Sequence, residues 1–216
     1  MQNIQAAIFD LDGTILDSMG VWSRIDEQFL ARRGFAVPPD YAAAIAGRSF
    51  VETALYTITR FGLPDSADDL MREWSAMAAD EYAHHVCLVP HAADYLRRLY
   101  AAGIRLAIAT ALTETLYRPC LENNGVYELF DVFCSTDEVG CGKSQPDVFL
   151  LAAKRLCVPP AQCLVFEDIL PAVLSAKAAG MYVCGVYEPF SAHHRPAIEQ
   201  AADQYITGFA EAPLLR

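Results

Sequence analysis

Residues Ile4 to Thr14 read IQAAIFDLDGT, a short and largely apolar run that closes on two aspartates, Asp10 and Asp12. A run this short and this apolar suits a strand covered on both faces of a sheet. The same form recurs at Ile104 to Thr110 (IRLAIAT), Cys163 to Asp168 (CLVFED) and Met181 to Tyr187 (MYVCGVY), and more weakly at Asp131 to Ser135 (DVFCS). Helical patterns separate these runs. PHAADYLRRLYAAG, TETLYRPCLENNG and PAVLSAKAAG each end in glycine, and QPDVFLLAAKRLC opens beside a proline. Proline at the start and glycine just past the end is the asymmetry of real helices. Strand and helix in alternation imply an α/β fold, a Rossmann-like parallel sheet with helices on both faces.

One segment breaks the alternation. From Asp17 to about Val86 only helical patterns occur, among them MGVWSRIDEQFLARRG and ADDLMREWSAMAADEYAHH. The expectation is a discontinuous α/β core, residues 1–16 and 88–216, with an all-helical cap domain, residues 17–87, inserted after the first strand. Trp22 and Trp74 fall on helical stripes of this insertion and are expected in its core.

Bulk properties narrow the function. The chain has 216 residues, 54% of them hydrophobic, enough for one good core and a smaller module. A formal charge of −11 disfavours nucleic acid and acidic membrane surfaces as partners. No run approaches the roughly 18 apolar residues of a membrane span, and the N-terminus lacks the basic region of a signal peptide. The 7 cysteines include no Cys-x-x-Cys pair, which points to reduced, buried thiols in a cytoplasmic protein.

In a parallel sheet, ligands bind at the carboxyl ends of the strands. That edge collects Asp10 and Asp12 after the first strand, Thr110 after the second, Lys143 after the third, and Glu167 with Asp168 after the fourth. Clustered carboxylates suit a hard cation such as Mg²⁺. With the cation bound, Asp10 stays ionised and can act as a nucleophile, while Asp12 can give or take a proton. Lys143 offsets the charge of nucleophile and phosphate, and Thr110 donates a hydrogen bond to a phosphoryl oxygen. This is phosphoryl transfer through an aspartyl-phosphate. Lys143 lies in VGCGKSQPDVF, which imitates the end of a nucleotide-binding P-loop, but Asp137 stands where the earlier glycine is required.

DLDGT, IAT, GKSQPD and LVFEDILPAVLSAKAAGM, in that order, resemble the haloacid dehalogenase superfamily phosphatases with a helical cap after the first strand, of the β-phosphoglucomutase and phosphoglycolate-phosphatase kind. The resemblance implies Asp10 as nucleophile and Asp12 as general acid/base. It implies Mg²⁺ bound by the Asp10 side chain, the Asp12 backbone carbonyl and Asp168, with Glu167 behind the metal, and phosphate held by Thr110, the Ala111 amide and Lys143. Arg48 and Ser49, in a turn between cap helices, are expected to touch the non-reacting part of the substrate. Ile169 and Ala172 depart from the family's serine and glycine, and Pro90-His91 replaces a common Pro-Gly at the return from the cap.

The expectation is a monomeric Mg²⁺-dependent phosphatase of a small, phosphosugar-like metabolite. A sugar-phosphate mutase is the alternative, against which Trp22 stands where that subfamily tends to carry a histidine. A non-enzymatic phospho-acceptor switch would lack both Asp12 and the cap. A phosphonate hydrolase would need a cap lysine, and the first lysine in the chain is Lys143.

Overall fold

The computed structural model describes residues 4–45 and 50–215. The chain divides into two compact units, one made of residues 1–19 and 86–216, the other of Gly20–His85.

In chain order the elements are β1 (Ala6–Phe9), then α1 (Val21–Arg32), α2 (Tyr41–Ile45), α3 (Phe50–Phe61) and α4 (Ala67–His84) of the helical unit. The larger unit resumes with α5 (Ala92–Ala101), β2 (Arg105–Thr110), α6 (Glu114–Asn123), β3 (Val132–Ser135), α7 (Thr136–Val139) and α8 (Asp147–Leu156). It closes with β4 (Cys163–Glu167), α9 (Leu170–Ala178), β5 (Tyr182–Val186), α10 (Arg195–Ala201) and β6 (Gln204–Ile206).

The six strands form one parallel sheet in the order β3-β2-β1-β4-β5-β6. Strand order reverses at β1, between β2 on one side and β4 on the other, which is where such sheets bind ligands. Alternation along the strands makes two cores. Ala6 and Ile8 join Ala107, Val165 and Val183 beneath Phe149, Ala152 and Leu156 of α8 and Val173 and Ala176 of α9. On the opposite face Phe9 stacks on Phe166, its register partner, with ring centroids 4.6 Å apart. Tyr95 of α5 meets Phe9 edge-on, and Phe209 covers both. Each fully buried aromatic here contributes about 2–3 kcal/mol.

Sequence periodicity yields five strands, and the described residues form six. β6 is three residues long and pairs only with β5 at the sheet edge, so it carries too little apolar pattern to register. α7 is a single turn closed by a capping box between Ser135 and Glu138. The cysteines also divide: Cys120, Cys134, Cys163 and Cys184 are buried, whereas Cys87 and Cys157 are exposed.

The helical unit is built on the stripe Val21, Ile25 and Phe29 of α1, packed on α4 through Phe29 and Trp74, 5.3 Å between ring centroids. Trp22, one position off that stripe, is 44% exposed rather than in the core. Arg24 of α1 pairs with the buried Glu81 of α4 at 2.9 Å, and Ser66 caps α4 by accepting from the Asp69 amide. The segments that leave and rejoin the sheet unit lie side by side, joined by an antiparallel bridge between Leu16 and Leu88 and by Asp17 N donating to Cys87 O at 2.9 Å. No described helix is long and apolar enough to cross a membrane.

Candidate active site

Asp10 follows β1 directly. Its amide donates to Phe166 O at 3.1 Å, continuing the β1–β4 ladder by one residue and holding the carboxylate at the end of the central strands. The chain then turns sharply, with the Leu11 carbonyl accepting from the amides of Thr14, Ile15 and Leu16. Gly13 makes this turn possible for two reasons. Its φ is +75°, and a Cβ there would stand 2.8 Å from Asp168 Oδ2 and 3.0 Å from Glu188 Cγ. The turn therefore passes directly against the carboxylate that ends the β4 segment.

Lys143 arrives from the loop between α7 and α8. Its backbone carbonyl accepts from Ser175 Oγ of α9 at 2.6 Å, which ties the loop to the sheet unit. Its ammonium group is buried and donates to Asp10 Oδ1 and, at 2.7 Å, to Glu167 Oε1. The other Glu167 oxygen accepts from the Asp168 and Ile169 amides at 3.1 and 3.4 Å. Thr14, fully buried, donates toward Asp168 Oδ1 at 3.1 Å and lies 3.4 Å from Asp10 Oδ2.

Three carboxylates and one ammonium thus share a nearly dry site. Burial, then the nearby Asp10 charge, pushes the Asp168 carboxyl well above its usual range. Glu167 is also pushed up, by burial first, although Lys143 opposes the shift. Burial alone would lower the Lys143 pKa, but Asp10 and Glu167 outweigh it and hold the lysine charged. One cation does not balance three acids. Asp10, Glu167 and Asp168 each present an oxygen within 4.8 Å of the others, the sole such group of carboxylate, His or Cys ligands among the described residues. A hard divalent cation with oxygen ligands fits this excess charge and spacing.

Thr110 ends β2 and is buried. Its Oγ accepts from Leu112 N at 3.0 Å, leaving the hydroxyl proton for another acceptor, and Thr113 rather than Thr110 stands at the N-cap position of α6. Ala111 follows and is exposed. Asp12 lies in the turn beyond β1, not in the strand, and its carboxylate accepts from Ser18 Oγ at 2.6 Å. Arg48 and Ser49 lie outside the described residues. His193 and His194 are exposed in a short turn before α10, and His84 pairs with Asp80 at the end of α4. Ile169 is 40% exposed ahead of α9, and Ala172 is buried in the α9 core.

Sequence reasoning missed four participants. Thr14 was in view within DLDGT, but nothing in the pattern ties a threonine to both Asp10 and Asp168. Ser18 and Ser175 act through contacts that only the fold creates. Glu188 had a usable signal: it stands two residues past β5, on the edge that supplied the other carboxylates, and it is buried with its carboxylate accepting from the Ser191 amide.

Residues 7–186 match the family described as haloacid dehalogenase-like hydrolase. A bifunctional riboflavin kinase/FMN phosphatase of Arabidopsis thaliana is 33% identical over 83% of this chain, and the chain spans only 47% of that relative. (DL)-glycerol-3-phosphatase 2 of the same plant is 32% identical over 97% of this chain and 89% of its own length. The crystal structure of CbbY from Rhodobacter sphaeroides in complex with phosphate superposes with a TM-score of 0.77, at 27% identity over 96% of both chains.

Proposed function

The chain belongs to the haloacid dehalogenase-like hydrolase family, and from that premise we propose that it is a Mg²⁺-dependent phosphatase of a small phosphorylated metabolite, working through an aspartyl-phosphate. The observation that carries the reading is the buried contact of Lys143 with both Asp10 and Glu167, beside Asp168. The relatives named as phosphatases of glycerol phosphate and of hexitols support the substrate class.

In the first half-reaction an Asp10 carboxylate oxygen attacks phosphorus as the ester P–O bond breaks. The departing alkoxide takes its proton from Asp12. Lys143 pairs with the Asp10 carboxylate beforehand and faces the phosphoryl charge that builds up during transfer. The Thr110 hydroxyl donates to a phosphoryl oxygen. In the second half-reaction water attacks the phosphoryl group, Asp12 removes its proton, and the Asp10 carboxylate is released. Asp10, Asp168 and the Asp12 backbone carbonyl would hold Mg²⁺, with Glu167 adjoining. Bound there, Mg²⁺ would neutralise charge on the transferring group.

The test is hydrolysis of a panel of phosphate monoesters by the wild type and Asp10→Asn. The variant keeps the fold and loses at least about 10³-fold in kcat. A variant retaining a tenth of the activity would remove Asp10 from the reaction.

A further inference from the structure

The helical unit contains a cavity of about 180 Å³ lined by Trp22, Asp26, Ile45, Phe50, Thr53 and Trp74. Three of the six are aromatic. Trp22 and Phe50 meet edge to face at 5.9 Å, and Phe50 and Trp74 lie 5.6 Å apart. Two polar groups on this lining have no partner among the described residues. Trp74 is 2% exposed, and its Nε1–H is the one buried side-chain N or O without a hydrogen-bond partner among the described residues. A buried indole N–H normally finds an acceptor, because leaving it unpaired costs about 1–3 kcal/mol.

The second is the Asp26 carboxyl. It is half-buried, and it takes part in no hydrogen bond or ion pair among the described residues. Among the described residues, the arginines of this unit are engaged elsewhere. Arg24 pairs with Glu81, Arg32 with Glu73, Arg33 with Asp65 and Glu73, Arg60 with Asp40, and Arg72 with Asp69. The unit has no lysine. Burial alone raises the Asp26 pKa to about 6, the direction expected of a carboxyl losing water without gaining a cation.

A carboxylate beside aromatic walls is the usual chemistry for holding an ammonium group, by charge and by cation–π attraction together. The volume corresponds to about six waters at ~30 Å³ each, room for an amino alcohol or a small amino sugar rather than a peptide. We propose that this cavity binds a small molecule carrying a primary ammonium group next to a hydroxyl or ether oxygen, the ammonium on Asp26 and the oxygen accepting from Trp74 Nε1. Assigning that molecule to the alcohol part of a phosphate ester rests on the phosphatase reading above; binding as such does not.

The experiment uses the full chain with matched pairs that differ by one amine: ethanolamine against ethylene glycol, and glucosamine against glucose. Calorimetric titration is expected to show at least one amine binding about tenfold tighter than its partner. Asp26→Asn should erase that difference, and Trp74→Phe should weaken the amine several-fold while preserving the aromatic wall. Turnover of glucosamine 6-phosphate against glucose 6-phosphate, and of phosphoethanolamine against glycol phosphate, then identifies the source. A preference in kcat/KM that disappears in Asp26→Asn makes the amine part of the substrate. Calorimetric binding without any preference in turnover makes it a separate ligand in the same cavity. Equal titrations for both pairs, with no preference in turnover, overturn the proposal. Failure to hydrolyse any ester would sink the phosphatase reading and leave the calorimetry to decide the cavity.

Discussion

Lys143 and Asp10 are 133 positions apart in the chain, yet the lysine ammonium donates directly to the Asp10 carboxylate inside a site from which water is nearly excluded. The contact joins the first strand to a loop set down by α9, so it exists only when the whole sheet unit is assembled.

Lys143→Met should therefore be costly twice over. Removing one partner of a buried ion pair leaves the remaining charges uncompensated, at about 3–5 kcal/mol. Thermal unfolding without metal should drop by several degrees, and saturating Mg²⁺ should recover part of the loss. Turnover should fall at least about 10³-fold whether or not metal is present. An unchanged melting temperature would show that the lysine neutralises nothing in the folded state.

The acids themselves predict a pH dependence. Glu167 and Asp168 have folded-state pKa values raised above their ordinary ones, so the folded protein holds more protons than the unfolded chain once pH exceeds about 4. The contribution of these two groups to the stability of the metal-free protein is therefore greatest below that point and declines as pH rises toward neutrality. Mg²⁺ must displace those protons, so the melting-temperature gain from added Mg²⁺ should grow between pH 5 and 8. Scanning calorimetry with EDTA and with Mg²⁺ checks both trends. A Mg²⁺ gain independent of pH would separate these carboxyls from the metal.

Gly13→Ala places a Cβ 2.8 Å from Asp168 Oδ2 on a backbone with φ +75°. A loss of about 2 kcal/mol or more is expected. Because the obstacle is the Asp168 carboxylate, Mg²⁺ titration should also show weaker binding in the variant. Normal metal affinity with lowered stability would confine the effect to the backbone.

His91 is exposed and adopts φ +68° at the entrance to α5, the left-handed region that suits glycine. His91→Gly should stabilise the protein by about 1 kcal/mol, since strain is removed and no buried contact is lost. Chemical denaturation measures this directly, and a lower midpoint would assign the imidazole a contact that outweighs the strain.

The acidic edge of the sheet is readable because its acids sit where apolar runs end, and strand ends are the most legible points of a parallel sheet. Asp10, Glu167 and Asp168 stand out that way, and Lys143 by its place in the loop after the third strand, on the same edge. What stayed hidden depends on packing. The direction of Asp12 is one example: the strand ends at Phe9 and a turn around the Leu11 carbonyl sets it. Trp22 was read as core because an aromatic beside a helical stripe carries the same pattern whether it lies on the stripe or beside it. The Trp74 N–H and the Asp26 carboxyl, without partners among the described residues, have no sequence signature, since being unsatisfied is a property of neighbours.

The bridge between Leu16 and Leu88 has a consequence for how the chain folds. β1 must find β2 from Ala6 to Arg105 before the centre of the sheet exists, and the helical unit fills most of that gap. Closing so long a flexible loop is entropically unfavourable, although each doubling of length adds only about 0.6 kcal/mol. The helices contact one another locally, so they can form ahead of the strands and draw Leu16 and Leu88 together. Once they have, the remaining search spans little more than α5. Mutations that destabilise α1–α4 should accordingly slow refolding of the sheet, a kinetic penalty on a unit to which they do not belong.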